Sequence, residues 1–468
     1  MYQINFSKPI HIHFIGIGGI SMSGLAKLLK TKGFSVSGSD WTYSALTEEL
    51  TALGIPVALG QRAENITPDI DLVVYTAAVS SENAELAAAK NAGIPTLVRA
   101  DLLGQIMKHY PHAVGIAGTH GKTTTTSLLS MLLLDGGLDP TISVGGIVDA
   151  IGGNLRIGNS EYFVAEACEY TNTFLSLFPT DAIILNIEED HLDFFKDIDD
   201  IRASFAKYIA LVPAGGTVCI NAEISQCDAL FETASCEMAL YGIAENSTDS
   251  TSPHLDYAAA NISYDKNGCG SYDLIVHDKY ICRISLGIPG KHNISNSLPA
   301  IALAMKYGVP IESIQATLAS FHGTKRRFEY KGSLDGVRIY DDYAHHPTEI
   351  RATLTAAQSF DRSRIITIFQ PHTYTRTKAL LPEFAEALSL SDVIVLADIY
   401  ASREKNADKT ISSADLQTKL LEKGKEVYYF HSFDEIEKFL LRFSSHGDML
   451  ITMGAGDIVN VGEELLKK

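Results

Sequence analysis

The sequence predicts an α/β protein of three domains: a Rossmann-like domain over residues 1–110, a central domain over 111–322 and a second Rossmann-like domain over 323–468. The central domain is expected to carry a P-loop-type, mainly parallel sheet with a small antiparallel sheet added to it. Three observations predict this architecture. Short apolar runs alternate with helical patterns along the chain, as in parallel sheets covered on both faces. Glycine-rich turns follow two of those runs, at 16–19 and 115–121. A chain of 468 residues is also too long for one ordinary core, and two or three are expected.

In the first domain, His11-Ile12-His13-Phe14-Ile15 reads as a strand running into Gly16, Gly18 and Gly19. The stretch from Ser21 to Lys32 reads as a helix with Met22, Leu25, Leu28 and Leu29 on one face. A second strand over 34–40 ends in Asp40, about twenty residues beyond the glycines, where a Rossmann fold holds a ribose hydroxyl. Ser21 stands where the third fingerprint glycine would be, so the turn fits a nicotinamide cofactor and another nucleotide diphosphate equally. Further strands are expected at 72–76 and 95–98. The turn Ala77-Ala78-Val79-Ser80 and the cation Arg99 follow them, at strand ends where open α/β sheets bind ligands. An ordinary surface role for Arg99 is the alternative.

The central domain opens on Gly115-Ile116-Ala117-Gly118-Thr119-His120-Gly121-Lys122-Thr123-Thr124, between the apolar pair Ala113-Val114 and a Leu-rich helical stretch. A strand, a glycine turn and a helix N-terminus make a phosphate cradle, because free N–H groups and the helix dipole both favour an anion. Lys122 would reach the terminal phosphates, and the Thr123 hydroxyl would face Mg2+. Ile116 stands where the common P-loop has a glycine, which sets this loop apart as a separate lineage. Strands are expected at 162–166, 182–187 and 216–221, and an antiparallel hairpin about Asn267-Gly268. Glu166 ends the first of these strands and suits Mg2+ together with Thr123. His191 follows Glu188-Glu189-Asp190 and fits either a metal ligand or a supporting hydrogen-bonding role. Asn293 reads as the N-cap of an apolar helix near 297–307, a position compatible with an amide that meets the adenine edge.

The last domain starts after the basic knot Lys325-Arg326-Arg327. Strands are expected at 337–340, 365–369, 393–396, 427–430 and 449–452. Polar clusters follow three of them: 341–347, 370–376 and 454–457. Three such clusters on one edge of a sheet mark a ligand face.

Composition narrows the class. Hydrophobic residues make up 46% of the chain and charged ones 20%, which describes a folded globular protein. A net charge of −18 excludes a sequence-independent nucleic-acid binder. The six cysteines show no metal-ligand spacing and read as reduced thiols of a cytoplasmic protein. No signal peptide and no membrane-spanning run is legible.

In order along the chain stand Gly-Thr-His-Gly-Lys-Thr-Thr-Thr, an isolated Glu, Glu-Asp-His, His-Asn-x-x-Asn, Arg-Arg-Phe-Glu and Asp-Asp-Tyr-Ala-His-His-Pro-Thr-Glu. Together they resemble the Mur ligases of bacterial peptidoglycan synthesis, over essentially the whole chain and with motifs in all three domains. Among these ligases, the last-domain motifs look like those of the alanine-adding member. The resemblance implies an ATP-dependent ligase that joins L-alanine to the lactyl carboxylate of UDP-N-acetylmuramate through an acyl phosphate. The alternative is the ligase that attaches a recycled tripeptide to the same UDP-sugar. The resemblance also implies two Mg2+ ions, with Mn2+ as a substitute, a cytoplasmic location, and a monomer or weak homodimer.

Site residues carry over by motif. Gly118, Thr119, His120, Gly121, Lys122, Thr123, Thr124, Asn293 and Asn296 would bind ATP, and Thr123, Glu166 and His191 the metal. Arg327 and Asp342 would reach the nucleotide from the last domain. Arg327 is preferred to Arg326 because it stands two before Glu329, and Asp342 to Asp341 because it directly precedes Tyr-Ala-His. Lys122, Glu166, His191, Arg327 and Asp342 form the expected catalytic set. Gly16, Gly18, Gly19, Ser21, Asp40, Ser80, Arg99 and His120 would hold the UDP-sugar, which settles the first glycine turn against a nicotinamide cofactor. Tyr343, His345, His346 and Arg376 would line the alanine pocket.

Overall fold

The computed structural model describes residues 2–76, 79–192, 194–244, 254–402, 404 and 410–468. The chain forms two compact units, one made of 1–187, 199–220 and 224–239, the other of 188–198, 221–223 and 240–468.

The first unit begins with a five-stranded, all-parallel sheet. Its strands are β1 (His11–Ile15), β2 (Ser35–Asp40), β3 (Val57–Leu59), β4 (Leu72–Tyr75) and β5 (Thr96–Val98), in the order β3-β2-β1-β4-β5. The order reverses at β1, so the crevice beyond β1 and β4 is the natural ligand position. The turn 16–19 fills that position. Gly16 there has φ +80°, a conformation that favours glycine. Helix α1 (Ile20–Thr31) starts at the end of this turn and buries Met22, Leu25, Leu28 and Leu29. On the same helix a Cβ at Gly24 would lie 2.8 Å from the Leu155 side chain, so α1 packs closely on the strand that carries Leu155.

The rest of this unit is built on β6 (His112–Ala117), β7 (Thr141–Val148), β8 (Gly153–Arg156), β9 (Tyr162–Glu166), β10 (Asp181–Ile184) and β11 (Thr217–Asn221). They pair in the order β11-β10-β6-β9-β7-β8, and β8 alone of these runs antiparallel. Strands β6, β9 and β10 are apolar on both faces and almost wholly buried. The phosphate loop leaves the end of β6 and opens into a helix, Lys122–Asp135.

The chain passes to the second unit within β12 (Glu237–Ile243). There β13 (Tyr257–Tyr264) pairs parallel with β12, then antiparallel with β14 (Cys269–Val276), which pairs with β15 (Lys279–Pro289). This is the antiparallel addition that Asn267-Gly268 signals. The following helix spans Lys291–Lys306, six residues earlier than expected, and its N-cap is Gly290 at φ +101°. Asn293 is therefore inside the first turn, and the N-cap reading is corrected. A glycine cap offers no side-chain oxygen, so it leaves no mark that would move the helix start back from Asn293.

The last sheet has six strands: β16 (Glu329–Leu334), β17 (Val337–Asp342), β18 (Ile365–Phe369), β19 (Val393–Leu396), β20 (Glu426–Tyr429) and β21 (Met449–Met453). Their order is β16-β17-β21-β18-β19-β20, with β16 the antiparallel edge. Strand residues alternate between two cores. Ile365, Phe369, Ile394 and Leu396 pack with Leu354, Phe384 and Leu416 on one face, while Ile366, Ile368, Val393 and Val395 pack with Ile436, Leu440 and Val461 on the other. Among the described residues no helix is long and apolar enough to cross a membrane, and all six cysteines are free thiols.

Candidate functional site

The phosphate loop is shaped by two glycines with positive φ, Gly118 at +145° and Gly121 at +82°. A Cβ on Gly118 would come within 2.9 Å of Leu185 and 3.2 Å of the Asn186 nitrogen, so only glycine fits. Asn186 pins the loop from outside: its Oδ1 accepts from His120 N–H at 2.7 Å, and its carbonyl accepts from Thr119 N–H at 3.2 Å.

Lys122 folds back over this loop. Its ammonium donates to the Gly118 carbonyl, to the Thr119 carbonyl at 3.0 Å, and to Glu169 at 3.0 and 3.2 Å from the two carboxylate oxygens. Burial works against the lysine charge, but Glu169, with Cys168 and Glu166, outweighs it and holds the ammonium above the usual lysine range. Glu169 is itself 3% exposed. The sequence reading missed it, although its place three residues beyond Glu166 in a polar run was a usable signal.

Glu166 accepts from Gly145 N–H at 2.7 Å. A Cβ on Gly145 would lie 2.6 Å from a Glu166 oxygen, and one on Gly146 would lie 3.0 Å from the Thr123 methyl. Thr123 through its methyl and Glu166 through its carboxylate thus both lie against the same glycine pair, where a side chain on either glycine would crowd them. Oxygen donors of this kind suit Mg2+, so these two residues fit the ion that the motif implies.

At the first glycine turn, Asp40 accepts from Gly18 N–H through Oδ2 and from Trp41 N–H through Oδ1, both at 2.8 Å. Arg99 is half-buried and donates to Ser21 Oγ at 3.0 Å. Burial lowers its pKa. Ser80 Oγ accepts from Glu82 N–H at 3.2 Å. Ala77 and Ala78 of the same turn lie outside the described residues.

In the second unit, the three polar clusters of the last domain meet as expected. Gly454 N–H donates to the Asp342 carbonyl, Gln370 N–H to the Met453 carbonyl, and the Gln370 amide to Asp457 at 3.0 Å. Asp342 is buried and accepts from Ala344 N–H at 2.7 Å, Phe328 N–H at 2.9 Å and Thr353 Oγ1 at 3.0 Å. Burial pushes its pKa up to about 6, against the pull of Arg327. Both Arg326 and Arg327 lie 5.0 Å from the Tyr343 ring. The His345 ring stands 5.5 Å from both Tyr343 and His372, and burial pulls its pKa down to about 4.

His346 caps the helix Pro347–Ala357 by accepting from Thr348 N–H at 3.4 Å. Arg376 is clamped by Asp190, with Nη2 to Oδ1 at 2.9 Å, and donates to His372 Nδ1 at 3.1 Å. Burial acts to raise the Asp190 pKa, but Arg376, His191 and His346 hold it well below the usual carboxylate range. His191 sits beside that carboxylate at φ +54°, with Nε2 3.7 Å from Oδ2. Asn293 donates to the Pro289 carbonyl at 2.7 Å and accepts from Asn296 at 3.1 Å, so the two amides form one buried pair.

A glycine-rich loop between a strand and a helix N-terminus, flanked in sequence by two Rossmann-like sheets, fits a nucleotide-using α/β enzyme. Comparison with known proteins makes this specific. Residues 11–111 match the family model for the Mur ligase family catalytic domain, 116–304 that for the Mur ligase middle domain, and 326–456 that for the Mur ligase glutamate ligase domain. The UDP-N-acetylmuramate–L-alanine ligases of Lachnoclostridium phytofermentans and Agathobacter rectalis are each 56% identical, with 100% of both chains covered. Among solved structures, the UDP-N-acetylmuramate-alanine ligase MurC of Thermotoga maritima is 29% identical with a TM-score of 0.79, covering 98% of each chain. A murein peptide ligase of Psychrobacter arcticus is 25% identical with a TM-score of 0.71, again over 98% of each chain. The chain belongs to the Mur ligase family, and it is an ATP-dependent ligase that forms amide bonds.

Proposed function

We propose that this enzyme joins L-alanine to the lactyl carboxylate of UDP-N-acetylmuramate, in the cytoplasm, with release of ADP and phosphate. One observation carries the reading: full-length relatives at 56% identity bear that activity in their names. The tripeptide ligase is the weaker reading, because the full-length relatives at 56% identity are named for alanine and not for the tripeptide.

An amine cannot displace oxide from a carboxylate, so one carboxylate oxygen must first become a leaving group. The lactyl carboxylate attacks the γ-phosphate, giving an acyl phosphate and ADP, and the alanine amine then attacks the acyl carbon. A tetrahedral intermediate collapses to the amide and phosphate. The N–H groups at the start of the helix Lys122–Asp135 and the Lys122 ammonium hold the triphosphate and offset charge as it moves. Thr123, Glu166 and, by motif, His191 would hold Mg2+, which when bound neutralises charge on the phosphate oxygens. The turn 16–19 with Asp40, Ser80 and Arg99 would seat the UDP-sugar, and Asn293 with Asn296 the adenine. By motif, Arg327 and Asp342 serve the nucleotide, and Tyr343, His345, His346 and Arg376 the alanine.

The test is phosphate release from ATP with UDP-N-acetylmuramate, supplied with either L-alanine or the tripeptide. Release that depends on L-alanine, with a product heavier by one alanyl residue in mass spectrometry, is expected. Turnover with the tripeptide alone would replace this reading by the recycling one.

A further inference from the structure

The ammonium of Lys122 has three N–H donors, and the structure uses all of them. Two go to the loop's own carbonyls, Gly118 and Thr119, and the third goes to Glu169. In this arrangement the lysine has no donor left for a phosphate. A triphosphate seated on the loop must therefore take one donor away. The two carbonyls belong to the loop and move with it, whereas Glu169 reaches the lysine from outside, 47 residues further along the chain.

We propose that Glu169 is a positioning residue that competes with phosphate for Lys122. It holds the ammonium over the empty loop, surrenders it when the nucleotide binds, and takes it back as the products leave. This deepens, and rests on, the reading of residues 118–124 as the triphosphate cradle.

Two facts support an exchange. The carboxylate is 3% exposed, so leaving it unpaired is costly and draws the lysine back once the phosphates have gone. Lys122 itself is 16% exposed on its side chain, which leaves the ammonium an outlet toward an incoming anion. A buried negative charge 3.0 Å from the cation that meets the phosphates opposes anion binding by simple Coulomb repulsion. Its removal should therefore tighten the ground-state complex and slow the release of product.

The experiment measures binding of ADP with Mg2+ to the full chain by calorimetry, together with kcat and the KM for ATP. Glu169→Gln keeps the shape and removes the charge. It should bind ADP about ten-fold more tightly, with a lower KM for ATP and a kcat reduced several-fold. Glu169→Asp keeps the charge at a longer reach and should fall between wild type and Glu169→Gln in all three quantities. It also carries the test if Glu169→Gln does not fold. A residue that only props up the fold would weaken ADP binding and lower the melting temperature together. Unchanged or weaker ADP binding in a variant that melts like wild type overturns the proposal alone. No ADP binding by the wild-type chain overturns the reading of the loop, and the proposal with it.

Discussion

Arg326 donates from three guanidinium nitrogens, to Asp341 at 2.9 Å and to the Gly454 and Gly456 carbonyls at 2.8 and 3.0 Å. Asp341 is fully buried. Arg327, one residue on, makes a different set of contacts, over the Tyr343 ring and within the field of Asp342. The two arginines therefore differ in what their loss should do. Arg326→Ala strips the partner from a buried carboxylate and should destabilise the protein by about 3 kcal/mol, seen as a lowered melting temperature. Arg327→Ala should melt within a degree or two of wild type and lose turnover by about a hundred-fold or more. Equal melting temperatures for the two variants would remove the distinction. Motif spacing picked Arg327 from the sequence, but the partners of Arg326 were not legible there. They come from residues as far as 130 positions away, and only the folded sheet brings those carbonyls to one guanidinium. Asp190 escaped the reading for the same reason, since an acid shows its partner only in three dimensions.

At the scale of elements, long buried strands were legible and close approaches were not. Ile365–Phe369 and Val393–Leu396 lie where a continuous apolar run places them, because both faces of each strand are covered. The edge strand Glu329–Leu334 is half-exposed and largely polar in sequence, and it went unpredicted. Nor does sequence show that helix Arg99–Met107 lies against the turn Tyr170–Ser176 that follows Glu169. A Cβ on Gly104 would stand 1.8 Å from the Ser176 carbonyl oxygen, so the two segments touch backbone to backbone. Gly104→Ala should push them apart and lower the melting temperature by roughly 5 °C. Gly153→Ala, where a Cβ meets nothing within 4 Å, is the control and should change little. A neutral Gly104→Ala would mean the turn carrying Glu169 yields without penalty.

On the scale of the whole molecule, the sheets repeat one solution: apolar strands inside, helices outside, and polar clusters on loops past the strand ends. That repetition is what led the sequence to suggest three domains, with the last expected to begin at 323. We propose that this boundary is also an energetic one. Both cores of the last sheet draw only on residues from Phe328 onward, so the segment 323–468 contains everything its interior needs. Contacts from earlier in the chain lie apart from these two cores: Asp190 clamps Arg376, Gly268 approaches Ser359 and Gly290 approaches Ala356. A segment of this size with two-sided coverage of its sheet lies within the range of independently folding domains. Expressed alone, 323–468 should therefore give a cooperative thermal transition by circular dichroism and a dispersed amide spectrum, though melting below the full chain because those contacts are gone. A gradual melt with collapsed amide dispersion would show that the last sheet needs the preceding chain to hold its shape, and that the boundary at 323 marks a change of pattern without a change of folding unit.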